Sequence, residues 1–194
     1  HDALPIYTYA ALCWTAEHIA GYGGDPERLV IMGESAGGQL AVVAAQRARD
    51  QHGPALLAQV LLYPTVDAEA NTASRIDYAA GPVLGTAAAR GMWAAYLGDP
   101  AQAASPLASP GRAKSLAGLP PALVLSAECD PLRDEGEDYG RALQAAGVPT
   151  QVQRLSGLVH GVYNMSAFVP RVAEFNTAIA GFLKPLLQRA RAEA

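Results

Sequence analysis

Apolar and polar positions along the chain switch between two rhythms. Short unbroken apolar runs, of the roughly four to eight residues a buried strand needs, stand between longer stretches with helical spacing. That alternation predicts a mainly parallel sheet covered by helices, an α/β architecture. Residues 8–22 read as a helix, rich in Ala with Leu12, Trp14 and Ile19 in its apolar set, and ended by Gly21, Gly23 and Gly24. Asp25-Pro26-Glu27 marks a tight turn, 28–32 a short buried strand and 36–51 a helix. A second strand, 56–63, is apolar on both faces, as an internal parallel strand should be. A third, 122–127, follows Pro120-Pro121, and the helix 132–146 after it ends at Gly147. The fourth, 150–155, sets Gln151 and Gln153 against Val152 and Leu155, which places it near a sheet edge. A last helix, 170–192, ends in a charged tail.

One stretch breaks the rhythm. Residues 65–119 far exceed the roughly two to six residues of an ordinary connection, so a structured insertion is expected there, with a helix over 86–97. Its reading is a lid or pocket wall, against packed decoration with no role in binding. No internal repeat is visible, and 1–194 reads as a single domain.

Composition narrows the partners. The chain is 51% hydrophobic and 16% charged, enough to bury a core and unlike a disordered chain. Its net charge of −4 comes with no block of Lys or Arg, so no nucleic-acid partner is expected and a small neutral substrate is compatible. No apolar stretch approaches the roughly 18 to 20 residues of a membrane span. Cys13 and Cys129 read as two buried free thiols, the alternative being one disulfide. Neither sits in a C-x-x-C pair, and His1, His18, His52 and His160 lack zinc-ligand spacing, so no metal or cofactor is expected. His1-Asp2-Ala3-Leu4-Pro5 has neither a basic start nor an apolar run, so no signal peptide is expected and a cytoplasmic setting is favoured over a secreted one. The same residues lack an initiator Met, which reads as a chain beginning partway through a larger protein.

The chemistry centres on Gly33-Glu34-Ser35-Ala36-Gly37, a G-x-S-x-G pattern. Alone the pattern is weak. Here it follows a buried strand and opens a helix, the setting a nucleophile elbow requires. A sharp turn would lift the Ser35 hydroxyl out of the sheet, with Gly33 and Gly37 giving strand and helix room to approach. The Ala36 N–H, at a helix start, would face the charge that develops in a tetrahedral intermediate. The bland alternative makes Ser35 an ordinary helix N-cap.

A serine nucleophile needs a base, and the base an orienting acid, in the chain order Ser, Asp or Glu, His on such a fold. Asp130 follows the third strand directly, and His160 lies in a loop after the fourth, between Gly157 and Gly161. Glu128, Asp134, Glu135 and Asp138 are the competing acids, and Asp130 could itself be an N-cap. His18 and His52 read as surface residues and His1 as a terminus.

At these residues the sequence resembles the hormone-sensitive-lipase-like family of α/β-hydrolases. The resemblance runs through Gly24-Asp25-Pro26-Glu27-Arg28, Gly33 to Gly38, Leu62-Tyr63-Pro64, Ser105-Pro106-Leu107, Leu119-Pro120-Pro121, Asp130 to Gly136 and His160-Gly161. It implies the α/β-hydrolase fold and hydrolysis of carboxylic esters with short or medium acyl chains. It implies Ser35 as nucleophile, Asp130 as orienting acid and His160 as general base, with no cofactor. It also implies a homodimer through 150–155. Two departures stand out. Val162 occupies a position where an aromatic is more usual, which would alter the pocket wall. The family's His-Gly-Gly oxyanion loop, early strands and cap helices have no counterpart here. The implied result is a C-terminal portion, impaired alone and with an exposed sheet edge. The competing readings are a small-ligand-binding module that keeps the scaffold, and an amidase or lactonase on the same site.

Overall fold

The computed structural model describes residues 3–192. Helix α1 (Ala3–His18) is followed by strand β1 (Val30–Glu34), helix α2 (Ala36–Asp50) and strand β2 (Ala58–Leu62). The insertion then carries α3 (Ala73–Asp77) and α4 (Thr86–Leu97). Strand β3 (Ala122–Cys129), helix α5 (Arg133–Ala145), strand β4 (Thr150–Val159) and helix α6 (Ala173–Ala192) complete the order. All strand pairs are parallel, in the order β1-β2-β3-β4, so β4 is an edge strand as its alternation predicts. This is the parallel α/β architecture that the alternating rhythm predicts.

The two faces of the sheet bury different sets. Ala58, Val60, Leu62, Leu123, Leu125 and Leu155 pack with Phe175 and Phe182 of α6. Leu61, Ala122 and Val124 pack with Val42 and Ala45 of α2 and with Tyr139 and Leu143 of α5. Every residue of β2 is buried, which is why its apolar run shows no period.

Boundaries moved where side chains cap the backbone. Arg28 and Leu29 precede β1 because Asp25 caps a 3₁₀ turn, Pro26–Arg28, taking the Glu27 N–H at 2.9 Å and the Arg28 guanidinium. Helix α1 begins earlier than the sequence suggests and gives way after His18 to a 3₁₀ turn that Gly23, at φ +80°, ends. Strand β4 runs four residues past its predicted end, across a register shift at Ala127/Cys129 that buries both Leu155 and Leu158. Pro170–Val172 forms a 3₁₀ turn before α6, and Pro185 lies inside that helix.

The insertion is anchored by a buried ion pair. Arg75 donates to Glu135 Oε2 through Nε (3.0 Å) and Nη2 (2.6 Å), while Glu135 Oε1 accepts from the Thr65 hydroxyl and the Val66 N–H. The Ser74 hydroxyl donates to the Pro131 carbonyl, and the Ser74 N–H to Asp134. These bonds fasten α3 to the first turn of α5 and to Pro131 in the loop that follows β3.

Candidate active site

Strand β1 and helix α2 meet at Ser35, whose φ of +52° and ψ of −120° lie outside the regions ordinary L-residues adopt. Such backbone costs on the order of 1–3 kcal/mol and persists only where the surroundings enforce it. Two enforcing contacts are the Ser35 N–H donating to the Leu62 carbonyl at 2.9 Å and Gly33 lying against the Gly37 backbone. A β-carbon on Gly33 would stand 2.1 Å from the Gly37 oxygen. The expected clearance at Gly37 is not of that kind: a β-carbon there meets no described atom within 4 Å, and the second tight position is Gly38, 2.8 Å from Pro64 Cβ. Gly37 contributes its backbone to the close approach, not a missing side chain.

Ser35 occupies the N-cap position of α2 but makes no side-chain capping bond. Its Oγ instead lies 2.9 Å from His160 Nε2. His160 Nδ1 lies 2.7 Å from Asp130 Oδ2, with Asp130 fully buried. The other Asp130 oxygen accepts from the Leu132 N–H at 2.8 Å, so the capping and orienting roles share one carboxylate. The three candidates, separated by up to 125 positions, thus form one hydrogen-bonded chain. Ala36 opens α2 beside Ser35 and lines the same cleft.

That cleft holds about 140 Å³ and is lined from the insertion by Leu84, Ala89, Met92, Trp93 and Tyr96, and from elsewhere by Leu40 and Leu132. Residues 89, 92, 93 and 96 share one face of α4, as their spacing requires. The insertion therefore supplies a wall of the cleft that Ser35 enters.

The competing groups are engaged elsewhere. Glu128 accepts from the Gly157 N–H, Asp134 from Arg133 and Ser74, and Asp138 pairs with Arg141. His18 is exposed and stacks on Trp14, His52 is exposed, and His1 lies outside the described residues. Cys13 and Cys129 are free and half-buried, where full burial was expected. Val162 packs in the core with Val172 and Phe175 instead of altering a pocket wall. Among the described residues, no group of three or more His, Cys, Asp or Glu side chains is placed to hold a metal ion. Nor is any of their helices long and apolar enough to cross a membrane.

Three contributors escaped sequence reasoning. The Tyr63 ring packs in an edge-type contact with His160, ring centres 4.9 Å apart. Pro64 fills the gap between Gly38 and Gly136. Gln39 donates from α2 to the Leu107 carbonyl at 2.7 Å, tying the insertion to the elbow. The Leu62-Tyr63-Pro64 and Ser105-Pro106-Leu107 segments held the signal, but their partners are remote in sequence.

A parallel sheet with a strained serine between strand and helix, hydrogen-bonded to a histidine, marks the α/β-hydrolase class. A family model described as alpha/beta hydrolase fold matches residues 6–164, and the chain belongs to that family, on its hormone-sensitive-lipase-like branch. Among curated proteins it is similar to esterase LipI of Mycobacterium tuberculosis, 42% identical over 86% of this chain and 52% of that protein. It is also similar to carboxylesterase NlhH of the same organism, 41% identical over 86% of this chain and 53% of that one. The solved carboxylesterase EstE1, from a metagenomic library, superposes with a TM-score of 0.87 at 38% identity, covering 92% of this chain and 62% of that one. The chain spans about half the length of the curated relatives it matches.

Proposed function

We propose that this chain carries the nucleophile and base of a serine carboxylesterase acting on short- to medium-chain acyl esters. The observation that carries the reading is the continuous Ser35–His160–Asp130 hydrogen-bond chain, at 2.9 and 2.7 Å, at an apolar cleft. Ser35 Oγ attacks the ester carbonyl while His160 Nε2 takes its proton, and Asp130 holds Nδ1–H so that Nε2 faces the serine. The tetrahedral oxyanion faces the Ala36 N–H at the start of α2, where the helix dipole favours negative charge. Collapse breaks the bond to the alkoxy group, which leaves as an alcohol with the proton returned by His160. Water, deprotonated by His160, then hydrolyses the acyl-serine.

The cleft suits the acyl or alkyl part because its walls are hydrocarbon and aromatic. Ala36 is the one oxyanion donor the sequence nominates. Support for the reading also comes from relatives named as esterases. A second copy pairing through 150–155 fits the edge position of β4, and light scattering over a concentration series tests it.

The experiment is hydrolysis of p-nitrophenyl esters of graded acyl length by the wild-type chain and by Ser35→Ala. Turnover that Ser35→Ala abolishes, and that favours the shorter acyl chains, is expected. Turnover that survives in Ser35→Ala contradicts the proposal.

A further inference from the structure

Glu34 stands one residue before the nucleophile, at the end of β1, and has no place in the Ser35–His160–Asp130 chain. Both of its carboxylate oxygens are nevertheless engaged. Oε2 accepts from the Tyr63 hydroxyl at 2.5 Å, and Oε1 from the Asn164 amide at 2.5 Å. The Tyr63 oxygen also accepts from the Tyr163 N–H at 3.3 Å. These groups come from three segments: the end of β1, the residue after β2, and the 3₁₀ turn Val162–Met165 that follows His160.

Tyr63 is fully buried and holds a φ of +35°, a conformation that needs a reason in a non-glycine residue. Its ring lies edge-on to the His160 imidazole at 4.9 Å and to Phe175 at 6.0 Å. The Asp130 bond fixes one nitrogen of the imidazole, and the Ser35 bond at the other is given up when Oγ attacks, which would leave the ring able to swing about Nδ1. A second restraint must come from a contact with the ring or with the loop that carries it. Tyr63 supplies both, through its ring edge and through its hydroxyl. Because Glu34 adjoins Ser35, the hydroxyl's anchor ties the base to the nucleophile itself. Burial first, and then the Glu34 carboxylate, push the Tyr63 phenol above its ordinary pKa, so it remains a donor at any working pH. The Asn164 bond is exposed and counts for less than the part-buried bond to Tyr63.

We propose that Tyr63, anchored by Glu34, is a positioning residue that sets the His160 imidazole against Ser35. Neither residue touches the reacting atoms, and the inference rests on the Ser–His–Asp reading above.

Tyr63→Phe tests it in the full chain, since the variant keeps the ring and removes only the hydroxyl. The expected kcat for a p-nitrophenyl ester falls about tenfold, the equivalent of about 1.4 kcal/mol, while KM stays within about twofold. Glu34→Leu gives a similar fall, and combining it with Tyr63→Phe adds little, because both break the Tyr63–Glu34 bond. Glu34→Gln, which keeps an acceptor for the phenol, restores most of the rate. The His160 Nδ1–H proton resonance, assigned by its loss in His160→Ala, reads the geometry without turnover and is expected to shift or broaden in Tyr63→Phe. A Tyr63→Phe protein that is folded, with an unchanged resonance, overturns the inference, as does a lowered melting temperature with unchanged kcat. Failure of the Ser–His–Asp reading looks different: wild-type turnover is then insensitive to Ser35→Ala, and the resonance alone decides whether Tyr63 positions His160.

Discussion

Ser35 keeps its hydroxyl where it can react because its neighbours leave the backbone no relaxed alternative. Gly33 is the clearest of those neighbours, since a β-carbon there would collide with the Gly37 carbonyl 2.1 Å away. Gly33→Ala should therefore give a chain that fails to show a cooperative thermal transition by circular dichroism, whereas Gly37→Ala, whose β-carbon finds open space, should fold. At Asp130 both carboxylate oxygens are used, one on His160 and one on the Leu132 N–H. Asp130→Asn can accept at only one of these, so turnover should fall by about 10⁴ with the fold retained, on the precedent of triad acids elsewhere. Ser35, Asp130 and His160, which the structure joins by hydrogen bonds, could be nominated as a proposed triad from the sequence because each sits in a local pattern: an elbow, a strand end, a post-strand loop between glycines. Tyr63 and Gly38 were not, because what constrains them lies far away: His160 in one case and Pro64 in the other.

Helix α5 and strand β4 are joined by a charged bond that makes this region sensitive to acid. Glu137 is buried, which opposes its ionisation, but hydrogen bonds from Arg154 (2.8 Å at each oxygen) and the Ser126 hydroxyl outweigh that. Its carboxyl is held below the usual range. A depressed carboxyl stabilises fully above its unfolded value, near pH 4.3, and the contribution is lost as pH falls through the folded value. Glu137→Gln should thus lower the melting temperature at pH 7, and the difference from wild type should shrink as the pH is taken below about 4. Helix α4 offers a test of the cleft. Ala89 is buried against Leu84 and Leu132, so Ala89→Phe should fill the space and remove activity on longer acyl chains while sparing acetate esters, read as kcat/KM against acyl length. Element interiors were legible from their period: the buried run of β2 and the helix within the insertion stand where the pattern put them. Ends were not. Asp25 converts the expected start of β1 into a capped turn, and the register shift at Ala127/Cys129 carries β4 past its apparent stop.

Across the whole molecule, exposed apolar groups gather on the first two elements of the chain, α1 and β1. Strand β1 is the other edge of the described sheet, with Met32 44% exposed, and Leu4, Tyr7 and Trp14 of α1 are each at least half exposed. Edge strands and exposed apolar groups in this combination invite association. Binding of a hydrophobic fluorescent dye to the folded chain should therefore be strong, and it should fall in the double variant Met32→Lys, Trp14→Lys. Sequence alone identified the class and the side of the sheet where the proposed site lies, since strand ends and their loops are local features. It did not reveal how the insertion closes on the elbow, which depends on Arg75 reaching Glu135 and Gln39 reaching Leu107 across the fold. The central claim is that Ser35 is the nucleophile, activated by His160. A fluorophosphonate probe incubated with the chain, followed by peptide mass spectrometry, tests it most directly. The account predicts a single phosphonylated peptide with the adduct on Ser35, absent in Ser35→Ala and strongly slowed in His160→Ala. An adduct on another residue, or none on Ser35 in the folded protein, would contradict it.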